Sequence, residues 1–225
     1  MLELFHGSPV CVKKPVLEKC KPHNDYGRGF YCTQHAELAK EWAYQKGRDG
    51  FCNRYFLYVE GLNIVDLNAE DFTLLHWLAV LSENRIVNAS TPTMRRGQAW
   101  LHEYFGVDLS CADVVKGYRA DDSYFGFARA FLRNEITLGQ LSETMRLGSL
   151  GEQYMMKSSA AFSALEYVGA DVAESAIYWP ARNRRDMAAR SKYENIVSES
   201  PSEEDGWYIA DLMRMKGSEL NAVLR

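Results

Sequence analysis

The chain has few cysteines or histidines and no long apolar run that would commit it to a special chemistry or compartment. Its five cysteines, in 225 residues, are odd in number and none are spaced as CxxC, which indicates reduced thiols rather than a disulfide framework. No apolar run reaches the roughly 18 residues of a membrane span. The start MLELFHGSPV has neither the basic residues nor the apolar stretch of a signal peptide. We therefore expect a cytoplasmic protein with no membrane partner.

The composition also disfavours metal binding and general polyanion binding. The five histidines show no metal-ligand spacing with one another or with cysteine, so we expect no metal. The formal net charge of −4 argues against a general binder of polyanions, although a local basic face remains compatible with it. Hydrophobic side chains make up 47% of the chain and aromatic ones 12%, which indicates a sizeable core and aromatics that fill it or line a cleft.

The order of strand-like and helix-like runs predicts an α+β fold. Short β-prone runs such as GFYCT, RYFLYVE and EQYMMKS are scattered among helical patterns such as QHAELAKEWAYQ, without the steady β-α-β alternation of a doubly wound sheet. The length suits a single domain over residues 1–225. Within it we expect a helical insertion at about 69–105 and a helical C-terminal extension at about 183–225.

Several element boundaries follow from glycine, proline and periodicity. Leu2 to Phe5 should form a short strand broken by HGSP, since glycine and proline interrupt a strand. SAAFSALEYVG has helical spacing, whereas AESAIYW is typical of a strand stopped by Pro180. The last helix should run from Trp207 to the end of the chain.

The first functional signal is FHGS, in which a histidine and a glycine follow a strand. Gly7 would let a planar ligand approach the backbone, and the His6 imidazole can hydrogen-bond a hydroxyl group. Taken alone, the stretch is more simply a strand end with a turn glycine.

The second signal is GRGFYCT. Gly27 and Gly29 suit a bend where another group passes close to the backbone, and Arg28 between them is a candidate for binding a pyrophosphate. The third glycine of the phosphate-binding GxGxxG pattern is missing. Tyr31 and Trp42, eleven residues apart on a strand and the next helix, can form two walls of a slot for a flat ring. Taken alone, both are more simply core aromatics.

The third signal is GEQYMMKS, a strand that begins with two polar residues. Alternation along a strand sends Glu152 and Gln153 to opposite faces, so only one of them can point into a given cleft.

Together, in this order and spacing, these stretches resemble the ADP-ribosyltransferase superfamily, in its poly(ADP-ribose) polymerase and diphtheria-toxin branch. That branch combines a His-Gly strand, an aromatic strand with a second aromatic eleven residues on, and a strand with a glutamate. The chain is also similar to an uncharacterised bacterial family of the superfamily, through FHGSP, KPHNDYGRGFYCT, EWA, DVVKGYRADD and EQYMMKS. The resemblance covers about residues 2–165 and implies a split pair of mainly antiparallel sheets with surrounding helices.

The resemblance implies NAD as the substrate, with its nicotinamide–ribose bond broken and the ADP-ribose passed to an unknown acceptor macromolecule. It suggests a toxin or host-defence setting, with a cognate antitoxin protein as a partner. The catalytic residues would be His6, Tyr31 and Gln153. The residues implied to bind NAD are His6, Gly7, Ser8, Gly27, Arg28, Gly29, Tyr31 and Trp42.

Two departures from the pattern keep alternatives open. Gln153 stands where the branch has its glutamate, and Ala39 where a serine contacts the nicotinamide amide. An amide can orient a ribose hydroxyl but carries no charge, so a mono-ADP-ribosyltransferase, a slow NAD hydrolase and a non-catalytic NAD-binding module all remain, besides an α+β interaction protein with no cofactor. Asp121 and Asp122 could supply the missing carboxylate, although a solvated turn explains them more simply.

Overall fold

The computed structural model describes residues 1–43, 47–120, 122–147, 151–199, 201 and 206–223. Within these ranges seven strands and nine α-helices are defined. The strands are β1 (Leu2–Ser8), β2 (Phe30–Cys32), β3 (Gly50–Leu57), β4 (Ile64–Asp66), β5 (Val114–Tyr118), β6 (Glu152–Met156) and β7 (Leu165–Ala173). The helices are α1 (Ala36–Ala43), α2 (Leu74–Asn84), α3 (Pro92–Phe105), α4 (Asp122–Leu132), α5 (Leu138–Arg146), α6 (Ser159–Ser163), α7 (Ser175–Ser198), α8 (Ile209–Leu212) and α9 (Ser218–Val223).

The strands of the described residues form two sheets that meet at a backbone bridge. One sheet has the order β1-β3-β7 and is antiparallel throughout; the other has the order β2-β6-β5-β4, in which only β4 and β5 are parallel. A single backbone bridge joins β1 to the residue after β2: Phe5 donates to and accepts from Thr33, with N···O distances of 2.7 and 2.9 Å. The predicted α+β fold with two mainly antiparallel sheets and surrounding helices is confirmed.

Two hydrophobic cores stabilise this arrangement. The larger one packs α2, α3, α4 and α5 against one face of the β2-β6-β5-β4 sheet. Trp77 and Phe131 are fully buried in it. The smaller one lies where the two sheets face each other and includes Leu4, Tyr55 and Met156. Each fully buried side chain of this size stabilises the fold by about 1.5–3 kcal/mol relative to exposure. No helix among the described residues is both long and apolar enough to span a membrane.

Two expectations at the edge strands of the β1-β3-β7 sheet are wrong. β1 does not stop at Phe5 but continues through His6, Gly7 and Ser8, because each of these residues pairs with β3. The LEYVG segment is not helical beyond Ser163, since β7 pairs with the other edge of β3 along its length. In both places, pairing with β3 outweighs the local signal: the interrupting glycine and proline after Phe5, and the helical periodicity before β7.

The expected strand in AESAIYW is also wrong, because the segment begins the 24-residue helix α7, which continues through Pro180. Proline removes one helical hydrogen bond, but α7 is held on α1 by other contacts. Arg185 binds Glu41 with an Nη2···Oε2 distance of 2.5 Å, and the Tyr178 hydroxyl donates to Glu37 at 3.0 Å. The predicted single helix from Trp207 onward is instead two short ones, α8 and α9.

Gly7 is required by the packing of α1 on β1. A Cβ atom built on Gly7 would lie 1.9 Å from the Ala39 carbonyl oxygen and 2.9 Å from the Ala43 nitrogen. The helix backbone therefore fills the space that a side chain would need, and α1 can carry Trp42 this close to β1 only because residue 7 is glycine.

We predict that Gly7→Ala lowers the free energy of unfolding by about 3 kcal/mol or more, because backbone rather than a flexible side chain has to move. For a domain of this size that corresponds to a fall in Tm of roughly 6–12 °C, measurable by thermal unfolding. Gly169→Ala, on β7 with nothing within 4 Å of the added Cβ, is the matched control and should leave Tm nearly unchanged. Equal Tm values for the two variants would contradict this packing argument.

Candidate ligand-binding cavity

A large cavity opens where β1 and β2 diverge beyond the Phe5–Thr33 bridge. Its volume is about 800 Å³, within the range of about 300–1,000 Å³ that is typical of small-molecule sites. We call it the main cavity. It is lined by His6–Lys14 from the end of β1 and the loop that follows, and by Pro15, Val16, Lys19, Cys20, Lys21, Asn24, Asp25, Gly29, Phe30, Tyr31, Trp42, Arg85, Arg119, Ala120 and Gln153.

A smaller cavity of about 180 Å³, here named the inner recess, adjoins the main cavity. A buried space of about 150 Å³ is enough to hold one benzene ring, so the inner recess has room for a single six-membered ring. Five of the residues singled out from the sequence line it together: His6, Gly7, Tyr31, Trp42 and Gln153.

His6 is locked in one tautomer by Tyr31. Its Nδ1 lies 2.7 Å from the Tyr31 carbonyl oxygen. Because a carbonyl only accepts, Nδ1 carries the hydrogen and Nε2 is left as an acceptor. The pKa of His6 is lowered from 6.5 to about 4, chiefly by burial; the bond to Tyr31 opposes this shift and the nearby Arg119 charge adds to it. The imidazole is therefore neutral at pH 7.

Tyr31 is held through its hydroxyl as well as through its backbone. The hydroxyl donates to the Gly27 carbonyl at 2.7 Å and accepts from the Tyr26 amide at 3.0 Å. Its ring stacks on that of Tyr26 with the centroids 6.3 Å apart. Gly27 itself has a φ of +88°, in the left-handed region that favours glycine. The first glycine of GRG thus shapes the turn that Tyr31 closes.

Trp42 borders the inner recess, but its ring is occupied by cationic side chains. The Arg119 and Arg182 guanidinium groups lie 3.9 and 3.8 Å from its ring centroid, cation–π contacts that hold the indole in place. Its Nε1 atom is buried and has no hydrogen-bond partner among the described residues. Tyr31 and Trp42 line the same recess.

Gln153 lies in the cavity wall, where its amide binds a buried carboxylate that the sequence did not single out. Its Nε2 donates to Asp25 Oδ2 at 2.7 Å and to the Tyr118 carbonyl at 3.2 Å. Asp25 Oδ2 also accepts from the Ala120 amide at 2.9 Å, and Asp25 Oδ1 lies 3.0 Å from Arg85 Nε. Burial raises the pKa of Asp25, and the charge of Arg85 and the hydrogen bonds oppose that shift.

Glu152 and Gln153, adjacent on β6, point to opposite faces of the strand, as strand alternation predicts. Glu152 lies on the other face of β6, where it accepts from Asn68 at 2.8 Å and pairs with Lys116 at 3.0 Å. Asp121 and the side chain of Asp122 lie outside the described residues. Among the described residues, the carboxylate in contact with Gln153 is that of Asp25, in the HNDYGRG stretch.

The remaining predicted binding residues divide between the cavity wall and its outside. Ser8 and Gly29 line the main cavity; Ser8 accepts from the Val10 amide at 3.3 Å, and Gly29 packs so closely on Met155 that a Cβ would lie 2.1 Å from its sulfur. Gly27 and Arg28 are absent from the described walls of both cavities. Arg28 is exposed and donates to the Glu18 carbonyl at 3.1 Å.

Positive charge in the main cavity comes from other residues. The cationic side chains on its described wall are Lys13, Lys14, Lys19, Lys21, Arg85 and Arg119, and Asp25 is the one carboxylate there. Such a wall favours an anionic ligand. Nowhere in the described ranges do three His, Cys, Asp or Glu side chains gather as a metal site would need.

Asn53 anchors the lysine-bearing loop and was not recognised from the sequence. It is fully buried on β3 opposite His6. Its Nδ2 donates to the His6 and Val10 carbonyls at 3.2 and 3.3 Å, and its Oδ1 accepts from the Val12 amide at 2.7 Å. One side chain therefore fixes both the end of β1 and the cavity wall that follows it.

The chain matches the model of a known protein family. The model of a family described as "Protein of unknown function (DUF3990)" matches residues 2–167. This range contains all the candidate site residues, whereas Arg182, which stacks on Trp42, lies beyond it. No curated protein and no solved structure matches the chain.

We predict that His6 makes the fold less stable in acid. The unfolded chain protonates His6 below pH 6.5 and the folded one only below about pH 4, so between these values the unfolded state binds more protons and stability falls as pH falls. The loss amounts to up to about 3 kcal/mol. His6→Asn keeps a donor for the Tyr31 carbonyl but does not titrate, so unfolding free energies measured from pH 7 to 4 should fall less steeply for this variant. Parallel curves would refute the assignment.

We predict that Asn53→Ala frees the loop after β1. Losing bonds from a buried amide typically costs about 1–3 kcal/mol, and the cost falls locally on Val10–Val12. Trypsin should then cleave after Lys13 at least about tenfold faster than in the wild type under native conditions.

Asn63→Ala is the control for this cleavage. Asn63 also donates to a backbone carbonyl, that of Cys111 at 2.9 Å, but it lies outside the described cavity walls. Its removal should leave the cleavage rate unchanged. Equal rates in both variants would show that Asn53 does not hold the loop.

Proposed function

The chain belongs to the DUF3990 family of proteins of unknown function, and we propose that it is an NAD-dependent mono-ADP-ribosyltransferase. The observation that carries the proposal is the inner recess, which brings His6, Gly7, Tyr31, Trp42 and Gln153 around a space that holds one ring. The resemblance of these residues to the His-Tyr-Glu branch of the ADP-ribosyltransferases supplies the chemistry. In this reading the nicotinamide occupies the recess and the rest of the dinucleotide extends into the main cavity.

The backbone of Gly7 suits recognition of a carboxamide. Backbone groups of residues two apart on a strand point to the same edge. Phe5 directs both its N–H and its C=O to Thr33, so Gly7 directs its N–H and C=O to the same edge, where β2 has already diverged. A donor and an acceptor side by side match the oxygen and the NH₂ of the nicotinamide amide.

The charges of the main cavity suit a diphosphate. The lysines of the loop after β1, together with Arg119, face the space into which the rest of NAD would extend. Basic side chains attract phosphate oxygens and bind them with charge-assisted hydrogen bonds. We therefore assign pyrophosphate binding to residues of the cavity wall such as Lys13 and Lys14 rather than to Arg28, which donates to the Glu18 carbonyl.

The chemistry that follows is cleavage of the bond between nicotinamide and ribose. Its transition state resembles an oxocarbenium ion, so a protein accelerates it by fixing the ribose and placing negative charge or dipoles near the developing cation. His6 Nε2, an acceptor at neutral pH, would take a hydrogen bond from a ribose hydroxyl. Tyr31 would pack against the nicotinamide, and the Gln153 amide would lie near the reacting carbon.

A second candidate function is NAD binding with slow hydrolysis or no catalysis. The observation that favours it is Gln153 itself, because a neutral amide on β6 stabilises a cation less than a carboxylate does. Loss of one such electrostatic group typically costs about 10²–10³ in rate. The two functions share the same bound state and differ in whether nicotinamide is released.

The test is release of free nicotinamide from NAD by the purified chain. We expect release by the wild type, and a fall of about 10²-fold in Gln153→Leu, which fills the same space without polar atoms. Glu152→Gln is the matched control, because Glu152 lies on the opposite face of the same strand, and it should release nicotinamide at the wild-type rate.

The same samples report binding. NAD at about 100 times its Kd should stabilise the fold by about 2.7 kcal/mol, a rise in Tm of roughly 5–10 °C. A rise in Tm without release would favour the binding module. If the wild type shows no rise in Tm and no release of nicotinamide, both functions are ruled out.

A further inference from the structure

We propose that Asp25 is a positioning residue that orients and polarises Gln153, so that the Gln153–Asp25 pair takes the place of a single catalytic carboxylate. The inference rests on the proposed function, since it concerns the same reaction. It comes from the hydrogen bonds of two buried side chains that the sequence places 128 residues apart.

The orientation of the Gln153 amide is fixed by its partners. Asp25 Oδ2 and the Tyr118 carbonyl, at 2.7 and 3.2 Å, are both acceptors. If the amide were flipped, its oxygen would face two other oxygens, so the NH₂ group has to be on this side. Both of its hydrogens are then used within the protein, and the atom that Gln153 can offer to a ligand is Oε1, an acceptor.

The partners of Asp25 favour its charged form. Arg85 Nε, the Ala120 amide and Gln153 Nε2 all donate to it. Three donors, one of them a charged guanidinium, form stronger hydrogen bonds to a carboxylate than to a protonated carboxyl group. Burial raises the pKa of Asp25, whereas the Arg85 charge and the hydrogen bonds stabilise the charged form.

The charge of Asp25 reaches the cavity through Gln153. A hydrogen bond to an ionised acceptor is stronger than a neutral one, and hydrogen bonds in series polarise one another. Asp25 therefore polarises the Gln153 amide, which increases the negative partial charge on its Oε1 atom. The series Arg85–Asp25–Gln153 ends at a side chain that lines the inner recess, and in this proposal its Oε1 takes the place of a glutamate oxygen.

This arrangement makes a prediction that a simple glutamate site would not. Gln153→Glu alone would place a second carboxylate against Asp25 in a buried site, and like charges there repel and drive one group to take up a proton. The substitution that should improve an ordinary site should therefore impair this one. Asp25→Asn with Gln153→Glu exchanges the amide and the carboxylate, which keeps one negative charge in the pair and removes the repulsion between two carboxylates.

The test is steady-state nicotinamide release by the wild type, Asp25→Asn, Gln153→Glu and the double variant. We expect each single variant to lower kcat by about 10- to 100-fold with KM changed less than about threefold, and the double variant to exceed both singles by about tenfold. Additive losses in the double variant, or wild-type kcat in Asp25→Asn, would overturn the role of Asp25. Wild type with neither release nor an NAD-induced rise in Tm would instead overturn the proposed function, and this role with it.

A measurement on the wild type covers the case in which Asp25→Asn does not fold. By NMR, the side-chain NH₂ resonances of Gln153 should be shifted from those of exposed glutamines, protected from exchange, and should move with the titration of Asp25 as pH falls. Gln153 resonances at ordinary positions that do not respond to pH would overturn the pairing, whatever the activity of the variants.

Discussion

The Phe5–Thr33 bridge is the constraint on which the arrangement of the cavity depends. It joins the two sheets by one pair of backbone hydrogen bonds, and beyond it β1 follows β3 while β2 follows β6. The Gly7 backbone is thereby left facing open space, and the next contact between the two strands is made by a side chain, from His6 to the Tyr31 carbonyl. Sheets that stayed paired past this point would close the cavity, and sheets without the bridge would not bring His6 and Gln153 to the same recess.

Two buried polar side chains tie the segments that line the cavity to the sheets. Asn53 ties the loop after β1 to β3, and Asp25 ties the GRG turn to the end of β5 and to β6. Each makes at least three hydrogen bonds or ion pairs, as a buried polar group has to if its desolvation is to be offset. Stability and the positions of the site residues therefore depend on the same few side chains.

Patterns within one strand could be predicted from the sequence, whereas partners from distant segments could not. That Glu152 and Gln153 face opposite ways needs only the two-residue repeat of a strand. Asp25 resembles a turn residue among asparagine and glycine, because its partners Ala120 and Gln153 lie 95 and 128 residues away. AESAIYW was assigned to the wrong element because its helix is stabilised by contacts with α1, and Gly7 was assigned to ligand approach although α1 also requires it.

The most direct test of the account is a crystal structure of the chain with a hydrolysis-resistant NAD analogue. The account predicts that the nicotinamide ring occupies the inner recess, with its amide on the Gly7 backbone, its ribose hydroxyls within hydrogen-bond distance of His6 Nε2 and Gln153 Oε1, and its diphosphate among the lysines of the main cavity. An analogue bound elsewhere on the protein, or an inner recess that stays empty at a saturating concentration, would contradict it.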